Sequence, residues 1–110
     1  MPNLDLPPGW LRTIQELLAT HVPEAEAWAY GSRVSGGSHP GSDLDLVLRN
    51  PGHLRREQPR LHRLIDAFIE SDLPILVEVH DWARLPESFH REIERAHAVV
   101  QERALAAAGK

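Results

Sequence analysis

From Trp10 to His21 the apolar residues are Trp10, Leu11, Ile14, Leu17 and Leu18. They recur at spacings of three, four, seven and eight, which stacks them along one face of an α-helix. Pro8 stands near its start, where a missing N–H costs nothing, and Pro23 ends it. Residues 1–9, with Pro2, Pro7, Pro8 and Gly9, read as an extended lead-in. In AEAWAY (25–30), Ala27 and Ala29 face one way and Trp28 and Tyr30 the other, the period of a strand. A second strand follows where Leu44, Leu46 and Leu48 alternate with Asp43, Asp45 and Val47. Asn50-Pro51-Gly52 is a turn. Residues 53–71 carry a helical pattern with Leu61, Leu64, Ile65, Phe68 and Ile69 on one face, and Pro59 either opens or kinks it. Ser71-Asp72-Leu73-Pro74 stops it, and Ile75–Val79 is a third, β-rich run. A last helix starts near Pro86 and holds Phe89, Ile93 and Ala96. AVVQ (98–101) suits a short strand or a helix, and residues 104–110 read as a flexible tail.

The order α-β-loop-β-α-β-α, without internal repeat or composition boundary, predicts an α/β (α+β) chain. It forms a single domain over residues 1–110, with helices packed on a small mixed sheet of three or more strands. Strands two and three flank a helix and permit a parallel crossover; strands one and two permit an antiparallel or a crossing connection. A chain of 110 residues, 42% hydrophobic and 25% charged, suits one globular domain and argues against wholesale disorder. No apolar run approaches the roughly 18 residues of a bilayer span, and the N-terminus lacks the basic and apolar regions of a secretory signal. Zero cysteines exclude a disulfide framework and a cysteine-ligated metal site. The expectation is a soluble, cytoplasmic protein. A net charge of −4 gives no global attraction to a nucleic-acid backbone. Arg56, Arg60 and Arg63, with Arg55 nearby, fall on one helical face and read as a solvated face rather than a nucleic-acid contact.

Asp43 and Asp45 are the sharpest chemical feature. Two residues apart on a strand, their carboxylates project side by side, about 7 Å apart at the backbone. Such a pair is costly unless a cation lies between, and hard ions such as Mg²⁺ take carboxylate oxygens together with substrate phosphates. A solvated strand face with Leu44 and Leu46 in the core would give the same pattern. The preceding loop, Gly31 to Ser42, tips the balance, since it holds four of the seven glycines and four serines. Glycine at 31 permits close backbone approach to a ligand, Ser32 adds a hydroxyl, and Arg33 offers a fork for phosphate. Phosphate cradle and carboxylate pair in one unit point to a Mg²⁺–nucleotide site. Glu78, between Val77 and Val79 on a strand read as central, is the third acid, able to complete the metal site and to accept a proton from an attacking hydroxyl. On an edge strand it would simply face water. Asp81 is the rival third acid but is better read as a cap for the next element. The seven histidines, His39 and His80 among them, show no convincing zinc spacing, and Trp10, Trp28 and Trp82 read as core anchors.

Gly31-Ser32, ten residues, then Asp43-Leu44-Asp45 make the pattern GS-x10-DxD. At these residues the chain resembles the DNA polymerase β-like nucleotidyltransferase superfamily, and in size its minimal nucleotidyltransferase antitoxin branch. AYGSRVSGG, SDLDLVL and the downstream SDLPILVEVHDW are similar to that branch's two motif blocks, which here span Ala29–Leu48 and Ser71–Trp82. The resemblance implies a polymerase β-like fold, with Asp43, Asp45 and Glu78 holding catalytic Mg²⁺. It implies that Gly31 and Ser32 hold the triphosphate of ATP, and that Arg33 and Ser42 support them. It implies transfer of AMP to a hydroxyl, typically a tyrosine, of a HEPN-domain ribonuclease toxin whose antitoxin this chain would be. Two departures from the pattern stand out. The third acid is Glu78 where Asp is usual, and Val34-Ser35 replaces the usual Ala-Arg. They leave two alternatives: a weak or inactive toxin-binding module, or a small-molecule nucleotidyltransferase such as one acting on aminoglycosides.

Overall fold

The computed structural model describes residues 4–103. Its elements are α1 (Pro8–His21), β1 (Glu26–Tyr30), α2 (Ser32–Ser35), β2 (Leu44–Arg49), α3 (Leu61–Glu70) and β3 (Val77–Asp81), then a 3₁₀ turn (Trp82–Arg84), α4 (Glu87–Arg95) and β4 (Ala98–Gln101). The four strands form one mixed sheet in the order β3-β2-β1-β4. β1 pairs antiparallel with β2 and with β4, while β2 and β3, joined through α3, run parallel. The chain is thus a mixed α/β structure, as its pattern predicts.

The alternation along β1 and β2 sorts their side chains between two cores. Ala27, Ala29, Leu44, Leu46 and Leu48 point to the face covered by α1 and α3, where Ile14, Leu18, Leu64 and Phe68 meet them. Each large apolar side chain buried there contributes about 1.5–3 kcal/mol. Trp28, Tyr30 and Val47 point to the other face and pack with Trp82 and Ile93. Trp28 meets Trp82 edge to face at 5.6 Å between ring centroids. His97 stacks on Trp28 and His90 on Trp82. The Arg49 guanidinium lies 4.2 Å from the Trp28 ring centre and 4.7 Å from that of Trp82, and its Nη1 donates to Glu26 Oε1 at 2.8 Å.

Several boundaries differ from the sequence expectation. Helix α1 begins at Pro8, inside the expected lead-in, because proline suits the first helical positions. The polar loop holds a helical turn, α2, and Asp43 precedes the β2 ladder. The expected helix over 53–71 is shortened to α3. Pro59 lacks an N–H, and the Gln58 N–H is taken by the Asp81 carboxylate at 2.8 Å, so residues 53–60 fold as turns. Arg56 and Arg60 therefore lie outside the helix, and no helical face unites them with Arg63. Ile69, expected on the buried face, is 70% exposed. β3 starts two residues later than expected and is an edge strand. AVVQ is a strand. The expected tail, 104–110, lies outside the described residues, as does the start of the lead-in.

Candidate active site

The strand register lays Tyr30, Asp45 and Glu78 side by side on β1, β2 and β3. They share the sheet face opposite the α1–α3 core. Asp43, exposed, stands two residues before Asp45 at the mouth of β2. Asp45 is half-buried. Burial first, then the negative charges of Glu78 and Asp43, push its carboxyl above the usual 3.8, while His80 pulls the other way. Burial and the charges of Asp45 and Glu78 push Tyr30 up to about 12, so its phenol stays neutral over the working pH range. Glu78 is about half exposed, because β3 is an edge. The cost of burial expected for a central strand does not apply, and its carboxylate lies 3.8 Å from His80 Nε2.

Gly31 joins this row to the loop. Its backbone takes φ 81° and ψ −156°, a region essentially confined to glycine. A Cβ there would overlap Asp45 Oδ2. The first half of the GS-x10-DxD pattern is thus pressed directly against the second. The Gly31 carbonyl accepts from the N–H groups of Val34 and Ser35 and from the Ser35 hydroxyl, at 2.9–3.0 Å, which sets α2 going immediately after it. Beyond α2 the chain reverses through Gly36 and Gly37, both at positive φ, and closes a turn at 39–42.

Two expected phosphate contacts have other work in this arrangement. Arg33 is 3% exposed and points inward. Its guanidinium donates to four backbone carbonyls: Nε to Ser42 at 3.0 Å, Nη1 to Asp5 at 2.8 Å, and Nη2 to His39 at 3.3 Å and Pro40 at 3.0 Å. It is a clamp within the loop, not a free fork. The Ser42 hydroxyl accepts from the His39 N–H at 2.9 Å and closes the turn before Asp43. Asp81, 4% exposed, is the cap that the sequence suggests: Oδ1 accepts from the Ala83 N–H and Oδ2 from that of Gln58. Tyr30 and Asp5 were not among the expected site residues. Alternation along β1 could have found Tyr30; nothing local points to Asp5.

The donor set fits a hard divalent cation. Asp43, Asp45 and Glu78 offer carboxylate oxygens, and burial, with the charges of Glu78 and Asp43 added to it, raises the Asp45 pKa. Among the described residues no three His, Cys, Asp or Glu side chains are gathered into a cage. Magnesium needs none: one or two carboxylates hold it, and substrate phosphates and water complete its shell. A cavity of about 580 Å³ lies elsewhere, between Leu54, Arg55, Trp82 and α4, and includes none of these acids. Chemistry, not concavity, marks this site.

A family model described as a nucleotidyltransferase domain matches residues 11–104. Among characterised sequences, the chain is 38% identical over 105 residues to the Haemophilus influenzae protein named "Probable protein adenylyltransferase MntA". That match covers 92% of this chain and 87% of the relative.

Proposed function

The chain belongs to the nucleotidyltransferase domain family, and on that premise we propose that it transfers AMP from ATP to a hydroxyl of a partner protein, as the antitoxin of a HEPN-type toxin–antitoxin pair. One observation carries the reading: the Tyr30–Asp45–Glu78 row lies against a glycine whose missing side chain admits the Asp45 carboxylate. A protein acceptor is supported by the name of the H. influenzae relative and by the openness of the row, since Glu78 lies half exposed on an edge strand that a macromolecule can reach.

In this mechanism Asp43 and Asp45, joined by Glu78, would hold Mg²⁺, which would supply positive charge to offset that of the triphosphate and the departing pyrophosphate. Gly31 and the Ser32 hydroxyl receive phosphate oxygens. The acceptor oxygen attacks the α-phosphorus in line, a new P–O bond forms, and the bond to the β-phosphate breaks. A Glu78 carboxylate oxygen takes the acceptor's proton. Tyr30, neutral and buried beside Asp45, adds no further charge to the row and keeps water from one side of it.

The test is mass spectrometry of a HEPN-domain protein encoded beside this one, incubated with ATP, Mg²⁺ and this chain. The expected result is an AMP-sized mass gain, lost with Asp43→Asn/Asp45→Asn. Tight binding of the partner without any mass gain would replace the enzyme with a binding module. Modification of an aminoglycoside in its place would favour a small-molecule nucleotidyltransferase.

A further inference from the structure

We propose that Arg33 is a positioning residue that locks the two halves of the active-site loop to the N-terminal segment, and thereby sets how tightly the site holds a nucleoside triphosphate. The affinity clause rests on the nucleotidyltransferase reading; the positioning clause does not. Arg33 follows Ser32 directly, and its Nε donates to the carbonyl of Ser42, the residue before Asp43. One buried side chain thus spans the ten residues between the GS and DxD halves of the motif. Nη2 holds the turn carbonyls of His39 and Pro40 on the way.

The third anchor is Asp5, 28 residues upstream. Its N–H donates to the Arg33 carbonyl at 2.7 Å, and its own carbonyl accepts from Arg33 Nη1 at 2.8 Å, so the two residues are tied in both directions. The Asp5 carboxylate accepts from the Ser38 hydroxyl in the same loop. Leu4 and Leu6 on either side pack against the α1–α3 core, which fixes the strap to the rigid part of the molecule. The Trp10 ring lies 5.8 Å from the guanidinium carbon. A planar fork is needed to reach three separate stretches of backbone at once. The compact ammonium of lysine keeps the charge but lacks that reach.

Full-length Arg33→Lys and Asp5→Ala chains test the proposal by hydrogen exchange and by nucleotide kinetics. For Arg33→Lys, exchange should accelerate together in residues 4–7 and 36–43, while β1, β2 and α3 keep their protection. The KM for ATP should rise by about tenfold, the scale of one lost charge-assisted hydrogen bond, with kcat changed far less. Asp5→Ala, which touches only the surface contact to Ser38, should loosen the same two segments to a smaller extent. Unchanged exchange in the loop, or a loosened loop with a fully protected strap, overturns the positioning clause. An unchanged KM beside a loosened loop overturns the affinity clause. A wild-type chain that binds no nucleotide sinks both the proposed function and the affinity clause, and exchange alone then decides the positioning. If Arg33→Lys does not fold, the smaller Asp5→Ala change decides by the same readouts.

Discussion

At Gly31 the backbone occupies φ 81° and ψ −156°, and a methyl group would collide with the Asp45 carboxylate. Both costs fall on one substitution. Gly31→Ala is expected to lose about 1–3 kcal/mol, the cost of holding a side chain in such a region, and to displace Asp45 as well. Its urea midpoint, compared with wild type at equal m-value, measures this. Asp45 carries a second expectation. Its folded pKa is raised above the unfolded value, so between the two the native state holds a proton that the unfolded chain lacks. Stability therefore falls as pH rises through that window, and the cost is complete above the folded pKa. Without divalent cations, Asp45→Asn should be more stable than wild type at neutral pH, and the gap should close below the unfolded pKa. Urea titrations at several pH values check the sign. At this scale the closeness of the glycine–serine pair to Asp45 was legible, because the spacing of these residue types marks them as one unit. The place of Arg33 inside the loop was not legible, because its partners are backbone carbonyls, which leave no mark on the residue types around it.

Among the elements, the segment 53–60 depends on a residue far along the chain. Asp81 caps the 3₁₀ turn through the Ala83 N–H and reaches back to the Gln58 N–H, and it is nearly fully buried. Asp81→Ala should cost about 2 kcal/mol for the lost cap and the bond to a charged acceptor. Hydrogen exchange should quicken at Gln58 and Ala83 while Leu64 and Phe68 stay protected. This long-range bond also accounts for the difference between the expected helix over 53–71 and the shorter α3. Leu54 is not buried with Leu61 and Leu64 but stays exposed, and only the fold reveals where the turns end. The start of β3 was likewise set by pairing: Leu44 faces Val77 in the ladder, and the Leu44 N–H bonds the Leu76 carbonyl. Ile75 and Leu76 have strand-like character but lie ahead of that ladder. A four-residue run such as AVVQ is too short to show a periodicity of its own, and its pairing with β1 decides that it is a strand.

For the whole molecule, the mixed sheet and its two faces followed from alternation, since leucines and alanines go one way and aromatics and acids the other. Strand order did not follow. That β4 returns to the outer edge of β1, leaving β3 as the opposite edge, depends on contacts among residues far apart in sequence. The order bears on the proposed function, because an edge β3 exposes Glu78 beside the buried end of the row, on the side the proposed protein acceptor would approach. The central claim is that this row and the Gly31 loop together form one metal–nucleotide site. Thermal unfolding of wild type and of Asp43→Asn/Asp45→Asn, each with Mg²⁺ and ATP, with ATP alone and with neither, tests it most directly. Ligand at 100 times its dissociation constant adds about 2.7 kcal/mol, and each kcal/mol moves the midpoint by roughly 4–8 °C in a domain near this size. The expected result is a Mg²⁺-dependent rise in Tm for wild type that disappears in the double variant. No rise at millimolar nucleotide, or an equal rise in the variant, would contradict it.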